Sequence, residues 1–280
     1  MARLMIRAGL IVDIALVRGR TYRYGPDRSQ RAELHLPDGA GPHPVMVLIH
    51  GGSWRKRYGL GVMRGLAGDL RRRGWAVWNI EYRRVGNGGG WPATFADVAA
   101  AIDHLRELKA PLDLERVGAL GHSAGGHLAL WAAGRDKLGA GAPGATNGAA
   151  WRPFERVISL AGVCDLQGAY REWRGGAVRA LMGGSPEQLP ERYAAADPLA
   201  SVALATPALL VHGVADQTVS VNISRRYARA ARAAGGVVEL VELEGAAGAH
   251  NGHIDPRGAA WEVATRWLSE PVGARRVLAG

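Results

Sequence analysis

The sequence predicts an α/β fold: a mostly parallel, doubly wound sheet with helices on both faces. From about residue 45 onward, short β-rich runs alternate with amphipathic helical patterns, which is the rhythm of successive strand–helix units. Several of the runs are apolar at every position, as in strands covered on both faces, rather than alternating as in half-exposed ones. Size agrees: 280 residues, 48% of them hydrophobic, suffice for one large domain with a substantial core. We therefore expect a single domain over residues 1–280.

In chain order, Thr21–Tyr24 and Arg31–Leu36, joined by Gly25-Pro26-Asp27, suggest a short antiparallel hairpin at the sheet edge. Val45–Ile49, Trp75–Ile80, Val117–Leu120, Val157–Leu160, Ala208–Val211 and Val237–Leu243 read as strands. Helix candidates between them are Val62–Arg73, Thr94–Leu108, Ala124–Ala133, Ser224–Ala234 and Gly258–Leu268. The second places Phe95, Val98, Ala99, Ile102, Leu105 and Leu108 on one face, with Pro92 upstream and Thr94 as the expected N-cap. Gly134–Pro153 is rich in Gly, Ala and Pro and is expected to be a loop at the active-site rim. Residues 165–201 interrupt the rhythm and are expected to form a small, cap-like helical insertion over the site.

The formal charge of +10 is carried almost wholly by arginine. The arginines are scattered, and the densest cluster, Arg71-Arg72-Arg73, closes an amphipathic helix. No zinc-finger spacing, RNA-binding motif or basic helix with interleaved aromatics accompanies them, so a solvated surface is expected rather than a nucleic-acid partner. The charge leaves room for anionic substrates. Cys164 is the only cysteine, which excludes an internal disulfide and a cysteine-based zinc site. Ala8–Val17 is fairly apolar, but Asp13 interrupts it and no small-residue cleavage site follows, so a signal peptide is not expected. No apolar run is long enough to span a bilayer. The expected setting is cytoplasmic and away from membranes; the oligomeric state stays open, with a homodimer as one option.

The strongest chemical signal is Gly121-His122-Ser123-Ala124-Gly125, directly after one strand and directly before a helix. A serine on so sharp a turn is presented as a nucleophile, and small neighbours let the backbone pass without collision. The helix N-terminus that follows favours negative charge developing beside the serine. A second signal, His50-Gly51-Gly52-Ser53-Trp54, follows the strand Val45–Ile49. Acyl transfer needs backbone N–H donors aimed at an oxyanion, and a glycine pair at a strand end can turn amides outward. Gly51, Gly52 and the amide of Ala124 are the expected donors. The remaining histidines show no metal-ligand spacing, and no metal or organic cofactor is expected.

These two motifs, together with Ile80-Glu81-Tyr82-Arg83 and Trp91-Pro92-Ala93, resemble the α/β-hydrolase superfamily, and more narrowly its esterase and arylformamidase (kynurenine formamidase-like) branch. The resemblance covers about residues 20 to 270. It implies an acid after a late strand, for which Asp216 in Val211-His212-Gly213-Val214-Ala215-Asp216 is the first choice and Asp165 the runner-up. It also implies a histidine between the last strand and the last helix, where His250 and His253 compete. The family's spacing to the proline opening that helix, here Pro256, selects His250. Trp54 and His253 are then the expected substrate-binding side chains. His122 is expected to shape the turn, and His127 to be a buried, hydrogen-bonded side chain.

The implied reaction is hydrolysis of a small carboxylic ester or an aryl formamide through Ser123, His250 and Asp216, by way of an acyl-enzyme. The alternatives are a kynurenine formamidase proper and a non-catalytic binding protein that keeps the hydrolase fold.

Overall fold

The computed structural model describes residues 18–146, 154–202 and 205–271. Ala8–Val17, and residues 147–153 of the expected glycine-rich loop, lie outside them. Eight strands form one sheet: β1 (Arg20–Arg23), β2 (Arg31–His35), β3 (His43–Ile49), β4 (Ala76–Ile80), β5 (Leu112–His122), β6 (Arg156–Leu160), β7 (Ala208–Gly213) and β8 (Val238–Leu243). Their spatial order is β1-β2-β4-β3-β5-β6-β7-β8. β1 and β2 make the expected edge hairpin, with β2 antiparallel to β4, and all other neighbours are parallel. β5 outruns its apolar segment because Leu112 and Asp113 already pair with His43 and Pro44 before an irregularity shifts the register.

The helices are α1 (Arg64–Arg72), α2 (Ala93–Asp103), α3 (Ala124–Ala133), α4 (Leu166–Glu172), α5 (Gly176–Met182), α6 (Pro190–Ala196), α7 (Val221–Ala233) and α8 (Ala259–Ser269). Side chains alternate across a strand, so a wholly apolar strand feeds two cores. In β3, Met46 and Leu48 pack with Leu66 and Leu70 of α1 and Trp261 and Trp267 of α8. Val45, Val47 and Ile49 face the other way, toward Phe95 and Val98 of α2, Leu128 of α3 and Tyr227 of α7. Each large side chain buried this way contributes about 1.5–3 kcal/mol. Residues 165–201 hold α4, α5 and α6, whose Leu166, Val178, Met182 and Tyr193 belong to the same core as the sheet. The insertion is therefore part of the domain's packing. It is tied down where His127 Nε2–H donates to Ala196 O (2.9 Å) and the Trp131 indole donates to Ala195 O (2.9 Å).

Two local expectations are corrected. Thr94 is not the N-cap of α2; Pro92 holds that position. The Thr94 hydroxyl instead donates to Arg83 O (2.6 Å) and accepts from Gly90 N (3.0 Å), tying the preceding loop to the helix. The described part of the glycine-rich loop, 134–146, is not at the rim of the Ser123 turn. α3 starts at that turn and carries the chain about 15 Å away, to where Arg135 pairs with Asp103 at the far end of α2 (2.8 Å).

The topology selects one crevice. From β3 the chain moves to β4 on one side and then crosses to β5 on the other, so the loops leaving β3 and β5 diverge at a switch point, where α/β sheets place their ligands. Both sequence motifs leave from these two strand ends. They can lie so close because a Cβ on Gly125 would sit 2.0 Å from Ile49 O. Gly125→Ala is expected to destabilise the fold by about 1–3 kcal/mol through overpacking, measured as a shift in the urea midpoint. An unchanged midpoint would mean that this strand–helix contact can relax.

Candidate active site

Ser123 takes φ 55° and ψ −120°, a conformation that costs a non-glycine residue about 1–3 kcal/mol. The surroundings over-determine it. Ser123 N donates to Leu160 O (2.8 Å), while Ser123 O accepts from the amides of His127 (3.2 Å) and Val163 (3.3 Å). A Cβ on Gly121 would lie 2.0 Å from Gly125 O, so the turn closes only without one. Ser123 is 5% exposed, and Ala124 opens α3, where an N–H has no acceptor within its own helix.

Gly51 lies against this turn: a Cβ there would be 3.0 Å from Ser123 Cβ and 2.6 Å from His122 O. After it, Gly52, Ser53 and Trp54 all take positive φ. Two side chains hold that contorted backbone. Trp54 is fully buried, edge-on to the His127 ring at 5.3 Å. Its expected role as a substrate-binding side chain is thereby corrected: it anchors the loop from inside and presents no surface to a ligand. At the loop's other end, His50 Nε2 lies 2.9 Å from Glu81 Oε1. Its ring stacks on Tyr82 at 4.4 Å, and the Tyr82 hydroxyl donates to His50 O (2.7 Å).

Glu81 is the hub beneath the loop. It also accepts from the amides of Leu60 and Tyr82 (each 3.1 Å) and pairs with Arg84 at 3.1 Å. Burial works to raise its pKa. The bond from His50, the Arg84 charge and the Leu60 amide outweigh burial, so its carboxyl sits below the ordinary range.

The acid and histidine loops leave β7 and β8. His250 Nδ1–H donates to Asp216 Oδ2 (2.7 Å), an orientation that makes Nε2 the acceptor of the neutral ring. Asp216 Oδ1 accepts from the amides of Thr218 (2.8 Å) and Val219 (3.1 Å). Burial raises the Asp216 pKa, but the His250 bond and these amides together bring it below the usual carboxylate value. Asp165, the other acid considered, caps α4 by accepting from Gly168 N (2.6 Å) and pairs with Arg226 (2.6 Å).

Three further histidines brace these loops. His122 Nε2–H donates to His250 O (3.0 Å), which ties the serine turn to the histidine loop. His253 Nδ1–H lies 3.1 Å from both Ala249 O and His250 O. His253 is fully buried, so the structure also corrects its expected substrate contact; its buried Nε2 has no hydrogen-bond partner among the described residues. His212 accepts from Ser224 Oγ (2.7 Å) and donates to Val219 O (2.8 Å), fixing the acid loop. Burial, with the neighbouring His250 adding to it, pushes His122 down to about 3, and burial pushes His212 down to about 4. Both are neutral at pH 7. Among the described residues no hydrogen bond joins Ser123 Oγ to His250; such bonds commonly tighten only on ligand binding. No cluster of described residues could hold a metal ion, and no described helix is long and apolar enough to cross a membrane.

Glu81 and the His122 bridge are the parts that sequence reasoning missed. Glu81 had one signal, its place in Ile80-Glu81-Tyr82-Arg83, but nothing local pointed from there to His50.

The sequence profile of the BD-FAE family matches residues 33–230. The chain belongs to the BD-FAE family, on an α/β-hydrolase fold. This BD-FAE member is 28% identical over 247 residues to esterase LipC of Mycobacterium tuberculosis, covering 82% of the chain and 59% of LipC. It is 34% identical over 109 residues to the kynurenine formamidase of Meyerozyma guilliermondii, covering 39% of the chain and 40% of that enzyme. It thus spans less than two thirds of either curated relative. A solved structure of a thermophilic esterase from Thermogutta terrifontis, with propionate bound, superposes with a TM-score of 0.69 at 25% identity, covering 89% of this chain and 93% of that one.

The buried network around Glu81 makes a test of its own. Glu81→Gln is expected to cost about 1–3 kcal/mol at pH 7, because a buried donor then faces the Leu60 amide. A carboxyl with a lowered folded pKa stabilises above its unfolded value of 4.5 and loses that effect as pH falls through the folded value. The gap between wild type and variant in denaturant titrations should therefore be full at neutral pH and close in acid. A gap that stays constant down to pH ~3 would refute ionisation as its source.

Proposed function

We propose that this protein is a serine hydrolase that cleaves a small carboxylic ester through Ser123, His250 and Asp216. The observation that carries the reading is the 2.7 Å bond from His250 to Asp216, on a loop that His122 ties to the Ser123 turn. That bond orients the imidazole so that Nε2 is the ring's acceptor, as a general base requires.

In the proposed reaction, Ser123 Oγ attacks the acyl carbon and its proton passes to His250 Nε2. The oxyanion accepts from the backbone amides of the Gly51/Gly52 loop and of Ala124. His250 then returns the proton to the leaving alcohol as the carbon–oxygen bond breaks. Water, deprotonated by the same histidine, releases the acid from the acyl-enzyme. Asp216, its pKa held below the usual carboxylate value, holds the ring and stabilises the imidazolium. A short acyl group agrees with the propionate held by the Thermogutta terrifontis esterase. Aryl formamide cleavage by the same chemistry is a second reading, favoured by the 34% local identity to a kynurenine formamidase.

Turnover of p-nitrophenyl acetate and N-formylkynurenine tests both readings. Ser123→Ala and His250→Ala should each lose about 10³-fold or more in kcat. His253→Ala should keep most of its kcat, since that ring braces the loop. The preferred substrate separates esterase from formamidase. Full activity in Ser123→Ala would overturn the reading, and an active His250→Ala would move the base elsewhere.

A further inference from the structure

We propose that the cleft between β1, the end of β2 and the C-terminal end of α1 binds a small phosphate-bearing molecule, at a site separate from Ser123. The cleft encloses about 490 Å³, within the range of small-molecule sites. It lies at the opposite end of the sheet from the serine turn. Pro111, in its wall, precedes Leu112, the first residue of β5, whereas Ser123 follows the last. Along the sheet β5 advances about as far as its seven-residue neighbour β3, which puts the two ends about 20 Å apart.

The lining carries Arg18, Arg20, Arg71, Arg72 and Lys109 and no carboxylate residue. Part of this charge has an ordinary explanation. Arg71 and Arg72 end α1, where cations oppose the helix dipole. Arg71 also donates to Leu36 O (2.7 Å) and pairs with the exposed Asp38 (2.7 Å), and Arg72 pairs with Asp69 (3.0 Å). Arg18, Arg20 and Lys109 have no such account. Among the described residues none of the three meets a carboxylate; Arg20 lies only over the Tyr22 ring, at 5.2 Å. Exposed arginines elsewhere are divided: Arg73 pairs with Asp69 and Arg266 with Glu262, whereas Arg55 and Arg57 meet no carboxylate among the described residues; Arg18, Arg20 and Lys109 differ in sharing one cleft.

A second, independent observation sits in the same wall. His35 lines the cleft and is 4% exposed, and its Nε2 has no hydrogen-bond partner. The nearest carboxylate oxygen, Glu33 Oε2, is 3.6 Å away, an ion-pair contact when the ring is protonated and longer than a hydrogen bond, and it already accepts from Arg64 Nε at 3.0 Å. Guanidinium forks beside a lysine, between apolar walls at Leu34 and Pro111, suit a compact multiply charged phosphate better than a single carboxylate.

Isothermal titration with sodium pyrophosphate, at constant ionic strength set by sodium chloride, tests this. The comparison is wild type against Arg20→Gln/Lys109→Gln, both exposed positions, and against Arg55→Gln/Arg57→Gln, which removes the same charge beside the Gly51 loop. Wild type should give a saturable one-to-one isotherm, weakened about tenfold or more in the cleft variant and little changed in the control. No saturable binding by wild type overturns the proposal. So does equal weakening in both variants, the signature of diffuse attraction to a +10 protein, or binding of a mixed-sequence oligonucleotide in place of pyrophosphate. If the cleft variant fails to fold, acylation of Lys109 in wild type, read by mass spectrometry, decides: protection by pyrophosphate supports the site, and none overturns it.

Discussion

Where β3 and β5 end, backbone meets backbone with no room for a methyl group. Gly125 passes Ile49 O, Gly121 closes on Gly125, and Gly51 abuts Ser123. The site depends on that contact. It brings the loop bearing Gly51 and Gly52 beside the serine, and Ser123 takes a strained conformation held by the amides of His127 and Val163 and the carbonyl of Leu160. Strain at one residue is sustained by hydrogen bonds from two neighbouring elements, which keeps the side chain placed rather than mobile.

Around this contact the protein uses histidines mostly as neutral braces. His122, His212 and His253 each spend a ring N–H on a backbone carbonyl of the acid or histidine loop. Burial keeps the first two from charging at neutral pH. His250 alone directs its Nδ1–H at a carboxylate within hydrogen-bond distance in this group. The imidazoles thus share a residue type but divide into one that is poised by Asp216 and three that are structural, a division set by which loop carbonyls lie within reach.

How much of this was legible depended on the range of the information. The strands were visible because burial on both faces writes continuous apolar runs, and Ser123 because a tight turn demands small residues within two positions. Asp216 and His250 were reachable only through the spacing habits of a family, since the residues that join them are 34 apart in sequence. Depth was not legible. Trp54 and His253 stand next to chemically suggestive residues, yet both side chains point into the core. Nor was a competing partner: Thr94 had the right chemistry for a cap, but its hydroxyl bonds the loop behind it. Glu81 reads as an ordinary charged residue until His50, 31 positions earlier, folds against it.

Cys164, the chain's single thiol, sits just beyond β6 within reach of Ser159 Oγ (3.6 Å) and Gly162 O (3.3 Å), fully buried, and burial pushes it up to about 12. A thiol so placed is neither a nucleophile nor a redox partner while the fold is closed, because thiolate and reagent are both excluded. Its alkylation is therefore a clock for opening of the central sheet, and it reports that motion with no label added to the protein.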